Sequence, residues 1–426
     1  MAWNSDSLGG IEDDVAVTID DGSTTRVLES YEVRHSFFTQ QPNVFACRFG
    51  SGETAVEILK RMRPRARIEL RVGGALQQTG WIDGPEIESD AQAGTTITIH
   101  GRDAMADLHD AQVPADRSWK DVSFEQLTSD VLLAALGTTG FTLFTHGNEA
   151  NRKTVTGGGA QVPAIDAPPD IKPALIGTSS QGKQLHAKAG EHWYAFLKKE
   201  LDRAGLFLIC GASGEFILCR PNGQQRPLYR ILREPNATRQ TTSATRVHFK
   251  NLTHKRHTVY EVLGKGGGKG GVGAGVGVPE DAPEDIKPAL IAAMAASSAR
   301  RPLRATFVDE EMVALGYPLS RVRTFRDNHV TSIKQCEFLA RLRCAQARRE
   351  NWELVYTLAG HTTPGLRGGQ RLTWAVDTMV EVIDKELGIE GTFWVETVLF
   401  RRAATGGTTT EIHLMRPQDL VFGEVP

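Results

Sequence analysis

Arg67-Ile68-Glu69-Leu70-Arg71-Val72 alternates charged and apolar side chains without a fault, and Thr96-Ile97-Thr98-Ile99 repeats the period. Successive side chains of an extended chain point to opposite faces, so Ile68, Leu70 and Val72 share one face and the other is left to water. Such a pattern folds into antiparallel sheet covered on one side only. Asp21-Gly22 and Gly73-Gly74 fall between runs of this kind and read as turns. A helical stretch over 54–62, stopped by Pro64, interrupts the pattern. The alternation returns near the other end, with candidate strands at 242–249, 257–263, 352–358, 372–382, 392–402 and 409–414. One helix breaks this second set, capped by Ser332 with Gln335 and carrying Phe338, Leu339, Leu342 and Ala345 as its apolar stripe. Six strands and a helix make a second β-domain much like the first.

Between these halves the period changes. Ser123-Phe124-Glu125-Gln126 has the spacing of a capping box, and Leu127, Val131 and Ala134 follow at helical intervals until Gly137. A second helix carries Trp193, Phe196, Leu197, Leu201 and Ala204 and ends at Gly205. Residues 206–210 and 215–219 then form a hairpin around Gly211-Ala212-Ser213-Gly214. The expected fold class is mainly β with α+β modules. The division is 1–112 for the first β-domain and 113–235 for the α+β domain with an insertion at 151–185. The second β-domain takes 236–426 with a glycine-rich insertion at 264–300.

The two insertions share a peptide. Asp166-Ala-Pro-Pro-Asp-Ile-Lys-Pro-Ala-Leu-Ile176 and Asp281-Ala-Pro-Glu-Asp-Ile-Lys-Pro-Ala-Leu-Ile291 match at ten of eleven positions. Residues 264–278 hold nine glycines and no acid, which cannot bury a core and reads as a tether. The repeat is either a duplicated spacer or a duplicated binding peptide. Asp166, Ile171, Leu175 and Ile176, with Asp281, Ile286, Leu290 and Ile291, are its candidate interaction residues. The prolines stiffen each copy, and the apolar positions supply anchors that a solvated spacer has no reason to repeat. The binding reading expects both copies to dock in alike conformations on equivalent surfaces.

Composition narrows the function. Lys+Arg 49 against Asp+Glu 51 argues against a generally basic nucleic-acid binder. No apolar run approaches the ~18 residues of a membrane span, and the first residues lack the basic and apolar regions of a signal peptide. Five cysteines are too few for a disulfide scaffold, which points to a reduced, cytosolic site of synthesis. With Gly211–Gly214 as the turn, Cys210 faces Glu215 and Cys219 faces Leu206. The two sulfurs then share a face ~13 Å apart, beyond the ~7 Å a bridge allows. Cys336 and Cys344 are ~12 Å apart on one helix.

Catalytic motifs are absent or badly placed. Gly266, Gly268 and Gly271 satisfy G-x-G-x-x-G, but no helix can open in the Val-Gly-Ala-Gly that follows to hold a pyrophosphate. Ser180 and Lys183 match S-x-x-K without its companion motifs. His254 and His257 are spaced to lie on opposite faces of adjoining strand ends, and Asp83, Glu86 and Glu88 read as a solvated strand face. No catalytic, cofactor-binding or metal residue is assigned.

One stretch carries a resemblance. Thr79-Gly-Trp-Ile-Asp83 followed by Thr96-Ile-Thr-Ile-His-Gly-Arg-Asp-Ala-Met-Ala-Asp-Leu-His-Asp110 resembles the N-terminal domain of Mu-like baseplate hub proteins of contractile phage tails. There a strand ending Gly-Tyr/Trp-Ile-Asp precedes a hairpin and a strand running into Gly-Arg-Asp/Ser. Further matches follow in family order. They are 191–223, ending in Arg-Pro-Asn-Gly; Tyr260-Glu-Val-Leu-Gly264; the helix at 337–350 into 352–360; Gly388-Ile-Glu-Gly-Thr-Phe-Trp-Val395; and 406–415. Only the two insertions depart from the family pattern.

The resemblance implies two tail-tube-like β-domains joined by α+β modules, in a chain that assembles as a homotrimer. Three copies of two such domains would present a nearly sixfold face to the tail tube protein and hold the trimeric central spike protein at the other end. Baseplate wedge and tape measure proteins are further candidate partners, with DNA only in transit through the lumen. The implied location is the virion's tail baseplate, after assembly in the host bacterial cytoplasm. The implied role is symmetry adaptation and channel formation, without enzymatic activity. Alternatives are the hub of a tail-like bacteriocin or other contractile injection system, a hub-associated cell-wall hydrolase, and a carbohydrate-binding β-module.

Overall fold

The computed structural model describes residues 15–19, 24–25, 29–38, 42–51, 60, 62–90, 94–120, 122–137, 141–145, 175–176, 185–234, 244–264, 303–327, 330, 332–366, 371–403 and 407–420. Alternating sequence at the start becomes strands β1 (Val15–Ile19), β2 (Thr24–Thr25), β3 (Ser30–Ser36), β4 (Val44–Ser51), β5 (Arg67–Val72), β6 (Ala75–Asp90) and β7 (Gly94–Asp103). β5 and β6 meet at Gly73-Gly74, both at positive φ (56° and 78°), the two-residue turn that suits strand twist. Helix α1 (Met105–Asp110) follows β7 directly. The helix expected over 54–62 lies outside the described residues except for Lys60 and Met62.

The α+β unit holds β8 (Arg117–Trp119), β9 (Val122–Ser123), α2 (Phe124–Leu136), β10 (Leu143–Thr145), β11 (Leu175–Ile176), β12 (Leu185–Ala187), α3 (Trp193–Ala204), β13 (Phe207–Cys210) and β14 (Phe216–Cys219). Its helices start and stop where the local chemistry demands. The Ser123 hydroxyl accepts from the Gln126 amide at 3.1 Å, and Gly205 takes the left-handed conformation that ends α3 (φ 62°). The hairpin differs from expectation by one residue. The Gly211 amide donates to the Glu215 carbonyl at 2.7 Å, leaving a three-residue loop with Gly214 at φ 87°. Cys210 therefore faces Phe216, and Cys219 faces Phe207. That odd offset turns the two thiols to opposite faces rather than the same one, and all five cysteines are free.

The remainder contains β15 (Tyr229–Arg233), β16 (Ala244–Asn251), β17 (Val259–Gly264), β18 (Arg304–Val308), α4 (Glu310–Ala314), β19 (Val322–Asp327) and α5 (Ile333–Asn351). After them come β20 (Trp352–Ala359), β21 (Thr362–Pro364), β22 (Arg371–Thr373), β23 (Met379–Asp384), β24 (Ile389–Arg402) and β25 (Thr408–Met415). Two expectations change here. The strand expected over 372–382 is split, because Asp377 adopts φ 55° in the loop between β22 and β23. β17 leaves the expected second β-domain and forms a separate sheet, β18-β17-β19, on which α5 packs through Val262, Ala305, Cys336 and Leu339. His254 and His257 accordingly sit in the turn before β17, not on strand ends.

Both ends of the chain build one sheet of 13 strands. Its path runs β16-β20-β25-β24-β3-β4-β7-β6-β5-β1-β2, with β23 joined to β24 and β15 to β23. The seam is antiparallel pairing of β24 with β3, from Thr397 opposite Ser36 to Arg402 opposite Tyr31. A single core lies beneath it, where Val33, Phe45 and Ile99 from one half meet Tyr356, Val398 and Ile412 from the other. Each such fully buried side chain contributes roughly 1.5–3 kcal/mol.

Candidate functional site

The sheet face turned away from this core carries cross-strand ion pairs and imidazole–carboxylate contacts from β16 to β6. Lys250 meets Glu353 at 3.8 Å, His413 meets the same carboxylate at 3.9 Å, and Arg401 meets Glu32 across the seam at 3.0 Å. Further along, Arg48 reaches Glu88 at 3.3 Å and His100 reaches Glu86 at 3.7 Å. Glu32, Arg48, Thr98, Arg401 and Thr409 line a hollow of about 550 Å³ over the seam, so this face is concave there. Exposed pairs of this kind add at most about 1 kcal/mol each. Their effect, among the described residues, is a hydrated wall on which charges of both signs are paired.

Three polar clusters, the first largely exposed and the other two buried, fix the other units to the sheet, and two contain the residues that carry the family resemblance. In the first, Gly80 lies opposite Asp103, Trp81 opposite Arg102 and Ile82 opposite Gly101, so the two motifs are cross-strand neighbours. The Gly-Trp-Ile-Asp motif does not end its strand as expected. A bulge at Ile82/Gly84 accommodates Pro85, and β6 continues to Asp90. Arg102 grips Asp83 with Nε and Nη2 (2.9 and 3.0 Å) and Asp110 with Nη1 and Nη2 (3.2 and 2.9 Å), which ties α1 to the sheet. Hydrogen bonds from Arg102 hold the Asp110 carboxyl below its usual range. Both glycines are forced by close approach. A Cβ on Gly101 would stand 2.2 Å from Phe45 Cζ, and one on Gly80 would stand 2.3 Å from the Arg102 carbonyl oxygen.

Asp103 is buried and accepts from the Asn43 and Met105 amides, both at 3.0 Å. Desolvation outweighs these bonds and pushes its carboxyl up to about 7. It shares an enclosed cavity of about 40 Å³ with His35 and Cys210. That trio has the residue types of a thiol protease and the wrong electrostatics. Burial holds the Cys210 thiol well above its usual range and pushes His35 down to about 4, so both stay neutral where a thiolate–imidazolium pair is required.

In the second cluster the Asn222 amide of Arg-Pro-Asn-Gly donates to Asp377 Oδ1 at 2.8 Å, and Trp394 Nε1 donates to the same oxygen at 2.9 Å. Gln225 Nε2 closes the knot on the Asp377 carbonyl at 2.7 Å. The third centres on Arg256, which is fully buried. Its Nη2 donates to Asp309 at 2.6 Å and to Glu311 at 2.9 Å. Arg348 takes the other Asp309 oxygen at 2.7 Å, and Arg416 joins Asp419 (2.7 Å) to Glu311 (3.2 Å). Burial opposes ionisation of Glu311, but the hydrogen bonds from Arg256 and Arg416 hold it down to about 2. This network binds β17–β19, α5 and the turn after β25 into one body.

Of the residues singled out in the repeated peptide, the described ones are Leu175 and Ile176, which pair antiparallel with Ser123 and Val122. Asp166, Ile171, Asp281, Ile286, Leu290 and Ile291 lie outside the described residues, as do Ser180, Lys183 and the glycine motif. The polar clusters escaped sequence reasoning because their partners are far apart in the chain, 155 positions for Asn222 and Asp377. Among the described residues no group of three or more His, Cys, Asp or Glu side chains is placed to hold a metal ion, and no helix is long and apolar enough to cross a membrane.

No protein-family model and no curated protein matches the chain. Solved structures do. The 43 kDa tail protein of prophage MuSo2 from Shewanella oneidensis superposes with TM-score 0.66 at 15% identity, over 96% of this chain and 100% of that one. A tail protein from Neisseria meningitidis gives 0.64 at 17% identity, over 96% and 98%. A prophage tail protein from Listeria monocytogenes gives 0.50 at 10% identity, over 94% of each chain. The chain has the multi-domain, mainly β fold that these phage tail proteins share.

Proposed function

We propose that this chain is the structural baseplate hub of a contractile phage tail. Three copies close into a ring that joins the sixfold tail tube to the threefold central spike and lines the genome-delivery channel. The observation that carries this reading is the single sheet built from both halves of the chain, with an ion-paired outer face hollowed over the β3–β24 seam. A wall passing nucleic acid needs hydration and balanced charge, since a basic surface would retain the phosphates. In this reading residues 1–112 and 236–426 supply the two tube-like parts, and the protein works by holding shape rather than by catalysis. Its place is the virion baseplate, after assembly in the bacterial cytoplasm. The repeated peptide serves as a docking element on the tube-like domains or the adjoining ring, although Leu175–Ile176 of the first copy pair with Val122–Ser123 of the α+β unit.

Light scattering on the purified chain, followed by cryo-electron microscopy of assembled tails, tests this. Three copies per tail between tube and spike are expected, and any other stoichiometry sinks the reading. Leu175→Asp with Leu290→Asp is expected to impair tail assembly while the isolated chain stays folded. Normal assembly with this pair would remove the docking role.

A further inference from the structure

β19 is an edge strand, since among the described residues its strand partner is β17 alone. It is also unusually basic and uncovered. Val322, Arg323, Thr324 and Arg326 are all exposed, with Val322 at 44%. Among the described residues Arg321, Arg323 and Arg326 form no salt bridge. Arg323 and Arg343 both stack on Phe325 (5.2 and 5.3 Å), while Arg321 packs on Tyr317 (5.1 Å) and donates to the His254 carbonyl. Asp327 at the strand's end is already held by Arg203 at 3.1 Å. An open backbone edge flanked by unneutralised guanidinium groups is suited to an acidic, extended peptide.

Such a peptide leaves the same small sheet. β17 ends at Gly264, which pairs with Asp327 of β19, and the chain re-enters the sheet at β18. Between them lies the second copy of the repeat, preceded by Glu280. Glu280, Asp281, Glu284 and Asp285 put four acids in six positions, against Lys287 alone. The one mismatch between the copies is Pro169 against Glu284, so the second copy is the more acidic. From Gly264 to Glu280 the chain can span up to ~50 Å, ample to reach any point of a six-residue strand.

We propose that residues 279–291 dock on the β19 edge of their own chain, with the acids on Arg321, Arg323 and Arg326 and an isoleucine or leucine against Val322. This gives the second copy a surface unlike the Val122–Ser123 pairing of the first, so it replaces the expectation of equivalent surfaces, and it does not depend on the hub reading because it is tested on the isolated chain. Hydrogen exchange of the full-length protein is the experiment. Protection in 279–291 is expected, and Arg323→Glu with Arg326→Glu is expected to speed its exchange roughly tenfold. Glu280→Ser, Asp281→Ser, Glu284→Ser and Asp285→Ser together give the same effect without touching any strand, which guards against misfolding of the arginine variant. Exchange in the wild type at the rate of a free peptide overturns the proposal. So does protection indifferent to the serine set. Protection that grows with protein concentration would place the peptide on a second copy and overturn the intrachain site.

Discussion

His35 and Asp103 line one small cavity, and burial drives their pKa values in directions that keep both neutral. An unfolded Asp titrates near ~3.9 and an unfolded His near ~6.5. With Asp103 at about 7, the fold prefers the neutral acid, a stability present below pH ~4 and lost as pH climbs to 7. With His35 at about 4, the fold prefers neutral imidazole, a stability present above pH ~6.5 and lost as pH falls to 4. Between pH ~4 and ~6.5 the two slopes oppose, each approaching ~1.4 kcal/mol per pH unit. Replacing one residue exposes the other's slope. Relative to the wild type, His35→Phe is expected to lose stability as pH rises through that window, and Asp103→Asn to gain it. Urea midpoints measured across the window check this, and parallel curves for the two variants would refute the assignment.

Elements whose cause is local could be read from sequence alone. Ser332 with Gln335 started α5 as expected (3.1 Å from the Gln335 amide to the Ser332 hydroxyl), and Gly73-Gly74 turned the β5–β6 hairpin. Elements decided by distant partners could not. Nothing near Tyr31 announces that its hydroxyl meets His361 at 2.5 Å, and nothing near Thr397 announces β3 as its neighbour. The same holds for the candidate site, where Asp83 and Glu86 were readable as a solvated face but the Arg256 network was not. That network separates buried from exposed charge. Arg256→Met leaves Asp309 buried with half its partners and is expected to cost about 3–5 kcal/mol. Arg401→Met removes a pair whose arginine is 48% exposed and is expected to cost under about 1 kcal/mol. Denaturant unfolding of both variants measures the contrast, and equal losses would mean that Arg256 does not hold the small sheet in place.

A branched sheet of 13 strands, in which β2, β15 and β16 each have one strand neighbour among the described residues, is a hazard for a lone chain, because each such strand offers unpaired backbone to any neighbour. β1 with β2 closes one end of the main path and β16 the other, and β15 ends the branch. β16 carries the marks of a protected edge in Arg246, His248 and Lys250, yet it also exposes Phe249 at 44%, stacked edge-on against Trp352 at 6.0 Å. Charge that repels random pairing together with an exposed aromatic ring suits a strand meant for one specific partner. Under the proposed ring, that partner is the next copy, and closure would cover the ends of all three sheets. Phe249→Glu is therefore expected to shift the purified protein from trimer to monomer, seen as a threefold fall in mass by light scattering. Because the Phe249 side chain is only partly covered in the single chain, unfolding free energy of the monomer is expected to change by about 1 kcal/mol. A trimer that persists with this substitution would take β16 out of the contact and place ring closure on another surface.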